Sequence, residues 1–262
     1  MSGAPVVVVT GGASGIGLGI CTLFAANGHP VAMLDLQEDA LEREGAALRA
    51  TGATILPLRV DIAKRDEIDR AYEAVRRELG PIGCVIANAG ISTTDDFLTM
   101  TAESWQRMID VNLTGVFHTI QAALPDMVDG KWGRIVTISS QAAQSGAPDR
   151  AHYAASKGGV IGLTRALARE LARHGITVNT IPPSLVDTPL ARAGERSGQV
   201  PPLEVIAQHI PIARPGTPER WSCSAPSRTC PTTGHRCRRS SSVRSRAPNA
   251  GCGTRGSTTT SP

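Results

Sequence analysis

The chain has 262 residues, 41% of them hydrophobic and 19% charged, and a formal net charge of +4. That length and apolar content suit one large domain with a sizeable core, and no apolar run approaches the roughly 18 residues that a bilayer-spanning helix requires. The basic balance is local: from Arg220 onward eight arginines stand without one acidic residue, so residues 1–219 carry −4 and the composition speaks against a nucleic-acid partner.

The N-terminus enters the run VVVVTGG with neither a basic region nor a cleavage site, so a cytoplasmic protein without a membrane partner is expected. Short Val- and Ile-rich runs then alternate with longer segments of helical period, the signature of repeated βαβ units around a buried parallel sheet. Strands are expected at 6–9, 31–35, 54–60, 84–87, 134–139 and 177–181, and amphipathic helices at 16–26, 38–50, 64–79, 102–127 and 151–174. This pattern gives an α/β class, a doubly wound parallel sheet of the Rossmann fold, over residues 1–219.

The first strand runs directly into GGASGIG, placing Gly11, Gly15 and Gly17 at the mouth of the first helix. Glycines there allow a tight turn and close backbone approach, while the helix start offers amide donors to a pyrophosphate; the alternative is a merely glycine-rich turn. Asp35 ends the second strand eighteen positions after Gly17, where a carboxylate can accept from both hydroxyls of an adenosine ribose. That selects NAD, because a 2′-phosphate would meet a like charge and neither Ser14 nor Leu36 supplies a cation. The alternative is a solvated strand-end aspartate. Cys21 and Cys84 are the cysteines of the patterned region and suit small, reduced core positions. No cysteine or histidine spacing calls for a metal. Along the segment 102–127 the apolar residues Met108, Ile109, Val111, Val116, Phe117, Ile120, Leu124 and Met127 recur at near-helical spacing, as core or subunit-contact positions.

Tyr153 and Lys157 lie four residues apart, so on a helix they share a face, and Ser140 precedes the tyrosine by thirteen. A phenol of ordinary pKa, about 10, is a poor base near neutrality, so a catalytic tyrosine wants a fixed cation beside it. The alternative is an ordinary exposed Tyr/Lys pair. His152, next to the tyrosine, is expected to be solvated at the helix surface and is assigned no role.

Together, the TGxxxGIG turn from Thr10 to Gly17, the Asn88, Ala89, Gly90 segment and the YxxxK pair resemble the short-chain dehydrogenase/reductase family over residues 5–219. The resemblance implies that Gly11, Ser14, Gly15, Ile16 and Gly17 hold the dinucleotide, that Asp61 and Ile62 hold its adenine, and that Asn88 and Gly90 border it. It also implies that Pro183, Val186 and Thr188 lie along the nicotinamide, with Tyr153 and Lys157 touching the cofactor as well. Asn112, Ser140, Tyr153 and Lys157 would then be the catalytic set. Tyr153 would exchange a proton with the substrate oxygen, Ser140 would orient that oxygen, and Lys157 would bind the nicotinamide ribose and favour the phenolate. Asn112 would anchor a water that links Lys157 to solvent. Ser139 competes with Ser140, but the thirteen-residue spacing favours Ser140.

The chain departs from the family pattern in ANAG for NNAG and in Ser184 at a glycine position; beyond Arg220 the expected last strand gives way to an Arg-, Ser- and Cys-rich segment. Disorder is expected for residues 220–262, and an altered reading frame near residue 220 would account for the break. The expected activity is NAD-dependent interconversion of a secondary alcohol and a ketone, without metal, in a homo-oligomer, beneath a mobile lid over residues 187–209. A 3-oxoacyl-carrier-protein reductase is the enzyme alternative. A non-catalytic dinucleotide-binding or scaffold protein is the alternative of another class.

Overall fold

Four consecutive valines form the first strand because both faces of the sheet are covered. In β1 (Val6–Thr10) every residue is buried. Val6 and Val8 enter one apolar cluster, while Val7 and Val9 enter the other, as the two-residue period of a strand requires. This computed structural model describes residues 3–218.

Five more strands complete the sheet: β2 (Val31–Asp35), β3 (Ile55–Arg59), β4 (Ile82–Ala87), β5 (Gly133–Ile138) and β6 (Ile176–Ile181). All pairings are parallel and the order is β3-β2-β1-β4-β5-β6, so the direction of winding reverses between β1 and β4. Ligands of such sheets bind outside the carboxyl ends of the strands at that reversal.

On one face α1 (Gly15–Ala26) and α2 (Glu38–Arg49) contribute Ile20, Leu23, Phe24 and Leu41 to the core. On the other, α3 (Arg65–Glu78) brings Ile68, Tyr72 and Val75. Cys21 and Cys84 are free and buried, and burial pushes the Cys84 thiol up to about 12.

The single helix expected at 102–127 is interrupted. Between α4 (Ala102–Ile109) and α5 (Gly115–Asp129) the segment Asp110–Thr114 is a π-helical turn, which carries the wholly buried Asn112 toward the peptide of Ile91. Gly115 follows because a Cβ there would lie 2.7 Å from Ile62 Cδ1. After β5 come the single turn α6 (Ala142–Ser145) and the long α7 (Ala151–Leu171), which a 3₁₀ turn, Ala172–His174, extends to the expected end.

The expected lid contains two short helices, α8 (Pro189–Arg196) and α9 (Leu203–Ala207). Thr188 caps α8 by accepting from Ala191 N, with Pro189 at the first helical position. The chain then returns to form a parallel bridge between Gly216 and Val186. Among the described residues no helix is long and apolar enough to cross a membrane. The composition break at Arg220, and the disorder expected beyond it, lie outside the described residues.

Candidate active site

The carboxyl ends of all six strands open on one cleft of about 1500 Å³. Its floor at one end is the glycine turn. Gly11 has φ 65, and a Cβ on it would meet Asn88 Nδ2 at 2.8 Å and Ala89 Cα at 2.9 Å. Gly17 lies beneath, where a Cβ would fall 1.9 Å from Gly11 O, so it shapes the turn without lining the cleft. Asn88 braces the turn by donating to Thr10 O at 2.9 Å and Gly11 O at 3.2 Å, while Thr10 Oγ1 accepts from the amides of Asn88 and Ala89.

Ser14 stands at the start of α1 without a side-chain capping bond, and the first turn carries no acidic residue. Since Ser14, Gly15 and Ile16 line the cleft, the amides of that turn are available to an anion there. This donor set fits the pyrophosphate of a dinucleotide.

Asp35 is fixed at the rim, its two carboxylate oxygens accepting from Ala13 N and Gln37 N at 3.1 Å each. The next residue, Leu36, is 54% exposed and brings no charge. Asp61 accepts from Ala63 N at 3.0 Å, and Asp61 and Ile62 form the wall beyond.

At the other end, Ser140, Tyr153, Lys157, Gly90, Pro183, Val186 and Thr188 line the cleft together. Lys157 Nζ is 6.0 Å from the centre of the Tyr153 ring and donates to Ile138 O at 2.9 Å. Burial lowers its pKa from 10.5 to about 8. Ser139 donates to Ile181 O at 3.3 Å and is buried, whereas the Ser140 hydroxyl accepts from nearby Ala142 N at 3.2 Å.

Asn112 is the expected catalytic residue that does not reach the cleft. Its Oδ1 accepts from Ile91 N at 2.8 Å, and its Nδ2 donates to Ile91 O at 2.9 Å and to Ser156 Oγ at 3.2 Å. A Cβ on Gly90 would lie 2.9 Å from Asn112 Oδ1 and 3.2 Å from Lys157 Nζ, so only glycine lets these groups close up behind the cleft wall.

His152 departs from expectation. It is not solvated at a helix surface but completely buried, because the segment leaving β4 folds over the first turn of α7 and offers it Thr93 and Asp95. The apolar wall was also missed in detail: Leu190, Val200, Leu203 and Ile206 of the expected lid segment line the cleft. The spacing of Leu203 and Ile206 in PPLEVIAQHI was the available signal. Arg192 ties the segment 187–204 together, donating to Asp187 at 2.8 and 2.9 Å, to Glu195 at 2.8 Å and to Glu204 at 3.2 Å.

A glycine turn at the reversal of a doubly wound sheet, opening on a cleft that ends at a Tyr/Lys pair, marks an oxidoreductase that uses a nicotinamide dinucleotide. The short chain dehydrogenase family profile matches residues 5–197, and the chain belongs to that family. It is 38% identical over 214 residues to the 3-oxoacyl-[acyl-carrier-protein] reductase MabA of Mycobacterium bovis, covering 81% of this chain and 80% of that protein. It is 37% identical over 217 residues to a 3-oxoacyl-[acyl-carrier-protein] reductase of Synechocystis sp., covering 82% and 85%. A crystal structure of an actinorhodin polyketide ketoreductase variant with NADPH superimposes with a TM-score of 0.81 at 33% identity, covering 84% of this chain and 88% of that one.

Proposed function

We propose that the chain interconverts a ketone and a secondary alcohol with NAD(H), using Tyr153 as the proton-transferring group. The observation that carries this reading is the shared face of α7: Tyr153 and Lys157 both line the end of the cleft that begins at the glycine turn. A nicotinamide bound along Pro183, Val186 and Thr188 would supply or accept the hydride. Tyr153 would give its hydroxyl proton to the carbonyl oxygen during reduction and recover it from the alcohol during oxidation. Ser140 would donate to the same oxygen and fix its direction, and the Lys157 ammonium would favour the phenolate. Asn112, held to both sides of the Ile91 peptide, would keep Gly90 and the cleft wall in place behind them. The rim carboxylate of Asp35 with apolar Leu36 beside it supports NAD(H) over a cofactor bearing a 2′-phosphate.

A narrower form of the same reading is reduction of a 3-oxoacyl thioester. The names of the two relatives favour it, and the apolar lid wall would suit an acyl chain. A panel of alcohols, ketones and 3-oxoacyl thioesters, assayed with both cofactors, separates the two forms. Tyr153→Phe should lower turnover about a thousandfold, within the range of general acid–base catalysis, and leave NADH binding nearly unchanged. Retention of most activity would remove the tyrosine from its role.

A further inference from the structure

The reaction gives His152 no task, yet it is buried completely and immediately precedes the catalytic tyrosine. Its Nε2 lies 3.0 Å from Thr93 Oγ1 and 3.0 Å from Asp95 Oδ2. The same carboxylate oxygen accepts from Ser104 Oγ in the first turn of α4 and from Thr93 Oγ1 at 3.4 Å. The backbone of Asp95 donates to Asp149 O at 2.8 Å, and Asp149 itself holds a left-handed φ of 55, which aspartate tolerates better than most residues. Four segments therefore meet at one residue, Asp95: the stretch leaving β4, the start of α4, the turn before α7, and α7 itself. Donation from Ser104, foremost, holds the Asp95 carboxyl below its usual range, with Thr93 and His152 adding to it.

The imidazole is suited to this position in one tautomer. A proton on Nε2 gives the carboxylate a donor, whereas Nδ1 is buried with no partner among the described residues, and a proton there would go unmet. One residue before Thr93, Ser92 Oγ is likewise buried at the cleft wall without a partner among the described residues. Its placement relative to Tyr153 depends on where the stretch 91–96 is held.

We infer that His152 is a positioning residue that, through Asp95 and Thr93, clamps the segment bearing Ile91 and Ser92 at a fixed distance from Tyr153, so that the substrate carbonyl meets the phenol in reacting geometry. The inference rests on the ketone–alcohol reaction proposed above. Misplacement by about 1 Å in such a site costs about a hundredfold in rate, so a residue without contact to substrate can matter to turnover.

His152→Phe, His152→Gln and Asp95→Asn test the clamp. His152→Phe should lower kcat about 30- to 100-fold with the NADH dissociation constant within about twofold. His152→Gln, whose amide nitrogen can reach the carboxylate, should restore most of that loss. Asp95→Asn added to His152→Phe should lower kcat little further, because the His152 contact is already lost and the asparagine amide oxygen can still accept from Ser104 Oγ. Amide hydrogen exchange gives a readout without substrate: His152→Phe should speed exchange at Asp95 and its neighbours while β1 stays protected. The clamp is overturned if His152→Phe keeps wild-type kcat and exchange, if glutamine is no better than phenylalanine, or if NADH binding weakens in step with kcat. Wild-type protein that turns over no ketone would sink the reaction instead, and exchange at Asp95 would then decide the clamp alone.

Discussion

Lys157 carries its ammonium to a place where 4% of the residue reaches solvent, and burial alone takes its pKa from 10.5 to about 8. Its bond is to a neutral acceptor, Ile138 O, and no carboxylate pairs with it among the described residues. Between about pH 8 and 10.5 the unfolded chain thus holds more of this proton than the folded one. Stability from this group rises as pH climbs through that window, and its penalty is present in full below about pH 8. The penalty is about 3 kcal/mol, against about 1–2 kcal/mol for leaving Ile138 O without a donor. The first effect wins at neutral pH. Lys157→Met should therefore be more stable than wild type by about 1–2 kcal/mol at pH 7, become the less stable of the two above pH 10.5, and lose turnover. Urea melts at both pH values check it; an unchanged difference between them would show that the ammonium is not the source. A stability deficit at a position proposed to serve the reaction is a common trade.

The π-helical turn between α4 and α5 shows what a hydrophobic period can and cannot convey. Met108, Val116, Ile120 and Met127 are all buried as expected, yet the turn that separates them leaves the spacing close enough to helical that one helix was expected where two occur. Within the turn Asn112 presents both amide atoms to Ile91. Asn112→Asp tests this: it keeps an acceptor for Ile91 N but places an oxygen against Ile91 O inside the protein. The carboxyl should prefer to be protonated, so the variant should lose stability as pH rises from 5 to 8, by about 3 kcal/mol or more relative to wild type. A pH-independent loss in thermal melts would mean that the side chain is solvated. The six strands were legible to within two residues, because burial on both faces writes contiguous aliphatics, and the glycine turn, Asp35 and the Tyr153/Lys157 pair were legible because their spacing is local. His152 was not, since its partners Thr93 and Asp95 lie almost sixty residues upstream and only the fold brings them over it. The polar helix α8 was missed although its Thr188 cap and Pro189 were in plain view.

The cleft draws its lining from the segment after every strand, with Gly15, Leu36, Ile62, Ile91, Ser140 and Pro183 following β1 to β6 in turn. A dinucleotide lying along it would therefore touch both halves of the sheet across the reversal between β1 and β4, and its binding energy would act on the cooperative unfolding of the whole α/β body. A ligand bound only by the folded state adds about 2.7 kcal/mol at one hundred times its dissociation constant. For a chain of this size that corresponds to about 5–10 °C in Tm. NADH should produce such a shift, and NADPH at equal concentration a smaller one, because its 2′-phosphate would approach the Asp35 carboxylate and the residue that follows it, Leu36, brings no charge. Asp35→Ser combined with Leu36→Arg should reverse the order, since it removes the repelling charge and supplies a fork suited to a phosphate. Equal shifts from the two cofactors in wild type, or an order untouched by the double substitution, would take specificity away from the end of β2. No shift with either cofactor would leave the glycine turn without a ligand.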